Sequence, residues 1–180
     1  MHTARKALLI LTLTISYTSN ALAQSTPPNF LVEFEGQFNA SADKLVALAK
    51  AMPEESYAWS PMKGVASVVR VYMHIARYNY FYPEIALGSR SPMGAEEYDN
   101  WEEGVADKEK AVAILAESME HVRKVVDSMS SKDLGEKTRL YGRDVGQWAV
   151  LLQLITHMNE HLGQSIAYAR MNRVVPPWSR

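Results

Sequence analysis

Apolar side chains recur along this chain at intervals of three and four, the spacing of one face of an α-helix, in four long stretches. The first predicts a helix from about Asn29 to Met52, with Phe30, Phe34, Phe38, Leu45 and Leu48 on a common face and Pro53 blocking its continuation. A second is predicted to start between Met62 and Val65 and to run through Val68, Val71, Tyr72, Ile75 and Tyr78 to Leu87, kinked or ended by Pro83. Gly88 to Asn100 is rich in Gly, Ser and Pro and reads as a connection long enough to cross a bundle from end to end. The third helix is expected from about Trp101 to Met129. It buries Val112, Leu115, Met119, Val122 and Val126 and carries a solvated face on which Glu120 precedes Lys124 by one turn. A polar loop containing Gly135 and Gly142 follows. The fourth helix is then expected from about Asp144 to Met171, with Val150, Leu151, Leu154 and Ile155 inward, and Pro176-Pro177 prevents anything beyond it.

Each apolar stripe needs another helix to cover it, so the pattern predicts an all-α four-helix bundle. With 180 residues, 47% of them hydrophobic, the chain supports one domain with a real core. The first residues stand apart. Arg5 and Lys6 precede an apolar run from Ala7 to about Ser16, and Ala21-Leu22-Ala23 offers small residues for cleavage, so residues 1–23 are expected to be a signal peptide and residues 24–180 the exported, periplasmic domain. Thr18, Ser19 and Asn20 cut the run short of the roughly 20 apolar residues of a span, so no membrane span is expected after cleavage. Without cysteine there is no disulfide and no thiol for a lipid anchor. Losing Arg5 and Lys6 moves the formal charge from -1 to -3, which argues against nucleic acid as a partner.

Three histidines change the picture. His157 and His161 are four residues apart, so on a helix their imidazoles stack one turn apart and about 40° from each other, close enough to chelate one ion. The same stripe continues to Gln164 and Ser165, placing polar groups on a face directed into the core. Burying them without partners would cost a few kcal/mol, which a metal and its surrounding hydrogen bonds would offset. His74, between Met73 and Ile75 in the middle of the second helix, supplies a third imidazole from a facing element. Three protein ligands leave a coordination position open, the pattern of catalytic rather than structural zinc. His121 reads as a boundary or surface residue of the third helix. The segment His157 to His161 also spells H-x-x-E-H, the motif of inverted zinc peptidases with Glu160 as general base, yet no Asp or Glu follows His161 to complete that ligand set.

On these residues the chain resembles the DinB/YfiT-like superfamily of metal-dependent four-helix bundles. The likeness runs through Ala51-Met52-Pro53-Glu54-Glu55, through Ser67 to Ala76 with its Met73-His74-Ile75-Ala76, and through His157 to Arg170 with Glu160-His161-Leu162-Gly163-Gln164 and Tyr168-Ala169-Arg170; Val175-Pro176-Pro177-Trp178 looks like the family's tail. The resemblance implies up-down-down-up order with a long crossover between helices 2 and 3. It also implies a divalent metal, zinc or nickel, on His74, His157 and His161, and it is compatible with a homodimer. The function expected is a metal-dependent hydrolase or thiol transferase acting on a small molecule, with Tyr78 and Gln164 as candidate groups around the metal and Arg77 and Arg170 as attractors of an anion. The alternatives are a non-catalytic metal-binding or stress-associated envelope protein, and an interaction module whose Met and Tyr residues form a dimer face.

Overall fold

A computed structural model describes residues 30–92 and 98–179. The predicted signal peptide lies outside these residues. Four long helices dominate: α1 (Phe30–Ala51), α2 (Val68–Leu87), α4 (Lys108–Asp127) and α5 (Trp148–Met171), with a four-residue helix α3 (Tyr98–Trp101) in the crossover and a hairpin of β1 (Lys137–Leu140) and β2 (Arg143–Gly146) before α5. The bundle is the all-α architecture expected from the apolar spacing. Among the described residues no helix is long and apolar enough to cross a membrane.

Contacts at the helix ends fix the directions. Lys108 Nζ donates to Met52 O at 2.7 Å, so α4 begins where α1 ends. Ser89, just beyond α2, meets His121 near the end of α4 at 3.4 Å, so α2 and α4 run parallel. Tyr168 Oη donates to Ala66 O at 3.2 Å, setting the end of α5 beside the start of α2. This is the up-down-down-up order, in which parallel neighbours require a long crossover. Leu45, Leu48, Met73, Ile75, Leu115 and Leu154 fill the centre, each worth roughly 1.5–3 kcal/mol on burial. The buried Asn79 donates to Ser118 Oγ at 3.0 Å, and Ser118 donates to Leu115 O at 2.7 Å, so the polar pair in the core is satisfied.

Several boundaries differ from expectation. Helix α2 starts at Val68, because Ser67 caps it by accepting from the Arg70 N–H at 3.4 Å, and Pro83 does not end it: the helix reaches the expected Leu87, with Gly88 as its left-handed C-cap at a φ of 69°. So near the C-terminus the ring forfeits one helical bond and the helix continues. Helix α4 starts at Lys108 rather than Trp101, because the Asp107 carboxylate accepts from the Lys110 N–H at 2.7 Å. The polar loop before the last helix holds a hairpin. Thr138 and Leu140 turn inward, Thr138 donating to Ala86 O at 2.7 Å, while Tyr141 (φ 50°) and Gly142 (φ 74°) form the two-residue turn with both φ positive. Gly146 ends the hairpin with the Trp148 ring seated on it. A Cβ there would lie 2.7 Å from Trp148 Cδ1 and 3.0 Å from Leu134 O. Gly146→Ala is therefore expected to destabilise the protein by about 1–3 kcal/mol through overpacking, read as a lower thermal midpoint; an unchanged midpoint would mean the ring swings away freely.

Candidate metal centre

Helix α2 delivers His74 and α5 delivers His157 and His161, all half-buried, and one nitrogen from each lies within 4.8 Å of the others. The structure thus brings together the three imidazoles that the sequence singled out. His74 Nε2 and His157 Nε2 are 3.2 Å apart. Two nitrogens bound at about 2.0–2.1 Å to one tetrahedral zinc-sized ion would stand roughly 3.3 Å apart. His74 is 30% exposed, so the centre is recessed but reachable from solvent.

Hydrogen bonds around the rings decide where their protons sit. His74 Nδ1 faces Glu102 Oε1 at 2.9 Å, and an ionised carboxylate only accepts, so Nδ1 carries the proton and Nε2 is bare. His161 is fixed by a relay. Tyr168 Oη donates to the Ala66 carbonyl, Gln164 Nε2 donates to Tyr168 Oη at 3.0 Å, and Gln164 Oε1 then accepts from His161 Nδ1 at 2.8 Å. The fixed carbonyl at one end orients the amide and makes His161 Nδ1 the donor, leaving its Nε2 bare as well. Two lone pairs brought together beside a third imidazole form a donor set that fits a divalent cation.

His157 is pushed down to about 3 by burial and by the neighbouring His161 and His74, against a smaller opposing pull from Glu102. It is therefore neutral, as a ligand must be. In the metal-free protein the unfolded chain binds a proton at His157 below about 6.5 that the folded chain refuses until about pH 3, so stability falls as pH drops through that window. His121, lowered chiefly by burial, adds to the same slope. Chemical denaturation of metal-free protein between pH 7 and 5 is expected to show this loss, and His157→Gln a shallower one.

Tyr78 and Gln164 both lie at the centre: the Tyr78 ring is 4.7 Å from the rings of His74 and His157, centroid to centroid. Arg77 is committed to the carboxylate behind His74, donating to Glu102 Oε1 at 3.0 Å, and Arg170 is exposed on the last turn of α5. Glu160 is exposed and outside the three-histidine cluster. His121 is the boundary residue expected, packed on Tyr80 with centroids 5.0 Å apart.

Glu102 is the residue that sequence reasoning missed. It sits just beyond α3, only 8% exposed, between His74 and Arg77, with Arg70 Nε at 3.8 Å. Burial alone would raise its pKa, but the hydrogen bonds from His74 and Arg77 prevail and hold the carboxyl below its usual range. Nothing local marks it, because its partners lie 25 and 28 residues upstream.

Comparison with known proteins places this geometry. No curated protein matches the chain. Among solved structures, a DinB-like protein from Bacillus cereus superposes with a TM-score of 0.68 at 18% identity, covering 85% of this chain and 97% of that one. A provisionally assigned DinB-family protein from Exiguobacterium sibiricum gives 0.62 at 18% identity, covering 82% and 95%. A conserved protein from Enterococcus faecalis gives 0.61 at 15% identity, covering 81% and 96%. At such identities the likeness is one of fold. The family itself is shown by the sequence match over residues 37–169, which reaches from within α1 to within α5: the chain belongs to the DinB superfamily.

Proposed function

We propose that this protein is an exported metal-dependent enzyme, a hydrolase or thiol transferase, that holds one divalent ion, zinc or nickel, on His74, His157 and His161. The observation that carries the reading is the pair of hydrogen-bond chains, from Glu102 and from Gln164, that hold protons on the outer nitrogens of His74 and His161 and leave the inner ones bare. A bound cation would supply Lewis acidity, which makes a nucleophile available near neutral pH. The protein's own part is positional. Glu102 orients His74, the Gln164–Tyr168 relay orients His161, and the Tyr78 ring limits access to the face shared by His74 and His157.

Elemental analysis of the purified protein after metal supplementation and gel filtration tests the reading, with close to one ion per chain expected. Cobalt-substituted protein should then change its visible absorption when a thiol is added, because a three-histidine set leaves room for an exogenous ligand. A chain that holds no ion overturns the proposal. One that holds an ion but never answers a thiol is a non-catalytic metal-binding protein. Export is tested by mass spectrometry of the protein from its own host: Gln24 is expected as the first residue, and an intact Met1 would refute it.

A further inference from the structure

Between the β1–β2 hairpin and the first turns of α5 lies a cavity of about 840 Å³, within the range of about 300–1,000 Å³ typical of small-molecule sites. Leu140, Val145, Trp148 and Leu152 give it an apolar lining. Lys137, Arg143 and Asp144 are its charged residues. Asp144 is already matched: it is the register partner of Arg139, whose Nε lies 4.0 Å from Oδ1. Lys137 and Arg143 make no ion pair among the described residues. Two unmatched cations beside an apolar hollow complement a ligand with an anionic head and an apolar body.

The cavity reaches towards the histidines. Gln153 lines it and donates from Nε2 to Tyr82 Oη at 3.5 Å, and the Tyr82 ring stands edge-on to His157 with centroids 6.0 Å apart. Thr156, the residue before His157, lines it as well. The exposed Tyr141 on the hairpin turn shares a hydrogen bond with the same Tyr82 hydroxyl. One aromatic side chain therefore separates the cavity from the metal centre.

The geometry points to this cavity as the binding site of a small amphiphilic organic anion, a carboxylate on an aromatic or aliphatic body, attracted by the positive charge of Lys137 and Arg143 along its rim and extending towards the triad. Its standing as the substrate class of the metal centre rests on the metal reading above; the binding itself does not.

Titration of metal-free protein with 4-phenylbutyrate, followed through the Trp148 indole N–H resonance assigned with Trp148→Phe, tests the binding. A saturable shift is expected, with the neutral 4-phenylbutanol and the cationic 4-phenylbutylamine each at least about tenfold weaker. The double substitution Lys137→Glu and Arg143→Glu, at exposed positions, should cost the acid at least about tenfold and leave the alcohol unchanged. No saturable shift, equal affinity for acid, alcohol and amine, or full retention by the double variant each overturns the proposal. So does a concentration-dependent dimer in sedimentation that excludes the acid, since a second copy of the chain would then be the occupant. With cobalt loaded, saturating phenylbutyrate should also perturb the visible absorption, and tight binding without that change would remove the substrate assignment. Because the first titration needs no metal, its failure leaves the metal content of the protein unaffected, and a protein that binds the acid but takes up no ion on supplementation fails only the metal reading.

Discussion

His157→Ala lowers the affinity for a divalent ion by at least about 100-fold, and His74→Ala and His161→Ala do the same. Apparent binding free energies of about 10–16 kcal/mol for four-ligand zinc sites correspond to roughly 3 kcal/mol per ligand, and about 1.4 kcal/mol is one decade in affinity. The three losses should not add. Once one imidazole is gone, the remaining pair no longer encloses the ion, so the double variant His157→Ala/His161→Ala should be little worse than either single one. Stability distinguishes a lost ligand from a damaged fold. In wild-type protein, added metal should raise the thermal midpoint by mass action on the folded state, and in each variant that rise should vanish. The metal-free midpoint of His157→Ala should stay close to wild type at pH 5, because the substitution also removes a group that resists protonation when folded. Equilibrium dialysis with competition by a chelator measures the affinities. Variants that retain wild-type affinity would show that the three rings cluster for packing alone.

The visibility of this centre in the sequence follows from how each part is fixed. His157 and His161 are one helical turn apart whatever the rest of the fold does, so their spacing already joins them on one face. His74 was accessible too, as a histidine between two residues that are wholly buried, Met73 and Ile75. Gln164 follows His161 by three residues on the same helix and meets it by the same periodicity. Glu102 has no such anchor. It reaches His74 across a turn that bends the chain between α3 and α4, and that turn was hidden because Trp101 to Met129 reads as one amphipathic run. The break was signalled by Gly104 and by Asp107, a helix-capping residue ahead of Lys108-Glu109-Lys110. The hairpin escaped for a related reason. Lys137-Thr138-Arg139-Leu140 alternates with period two, but four residues are too few to stand out beside twenty-residue helices, and the turn uses Tyr141 in the left-handed region where Asn or Asp is the usual signal. Periodicity reveals what one element fixes alone; contacts made by a loop to a helix are fixed by tertiary packing and leave only boundary marks.

Replacing Glu102 by Gln should lower metal affinity by about 10- to 100-fold, the usual cost of removing a carboxylate behind a ligating histidine. The amide keeps an oxygen that can accept from His74 Nδ1 but loses the charge that makes the ring a better donor to a cation, and its NH₂ group faces the guanidinium groups that the carboxylate now receives. Glu102→Ala goes further, because it removes the shared partner of Arg70 and Arg77 from a position that is 8% exposed. A stability loss of roughly 1–3 kcal/mol is expected, below the about 3–5 kcal/mol of a fully buried pair because Arg77 and Arg70 keep some access to solvent. A double-mutant cycle separates the two effects. If Glu102 acts through His74, then in a His74→Ala background Glu102→Gln should cost no further metal affinity, although it still lowers the denaturation midpoint. Losses that multiply undiminished in that background would place Glu102 outside the metal centre and reduce it to a structural ion pair. The same cycle shows whether the crossover senses the metal, because Glu102 ties that segment to α2 through the ring that would bind the ion. Hydrogen exchange of the backbone just after α3 should then slow when metal is added to wild-type protein and stay unchanged in Glu102→Ala, which has no acceptor left for His74 Nδ1.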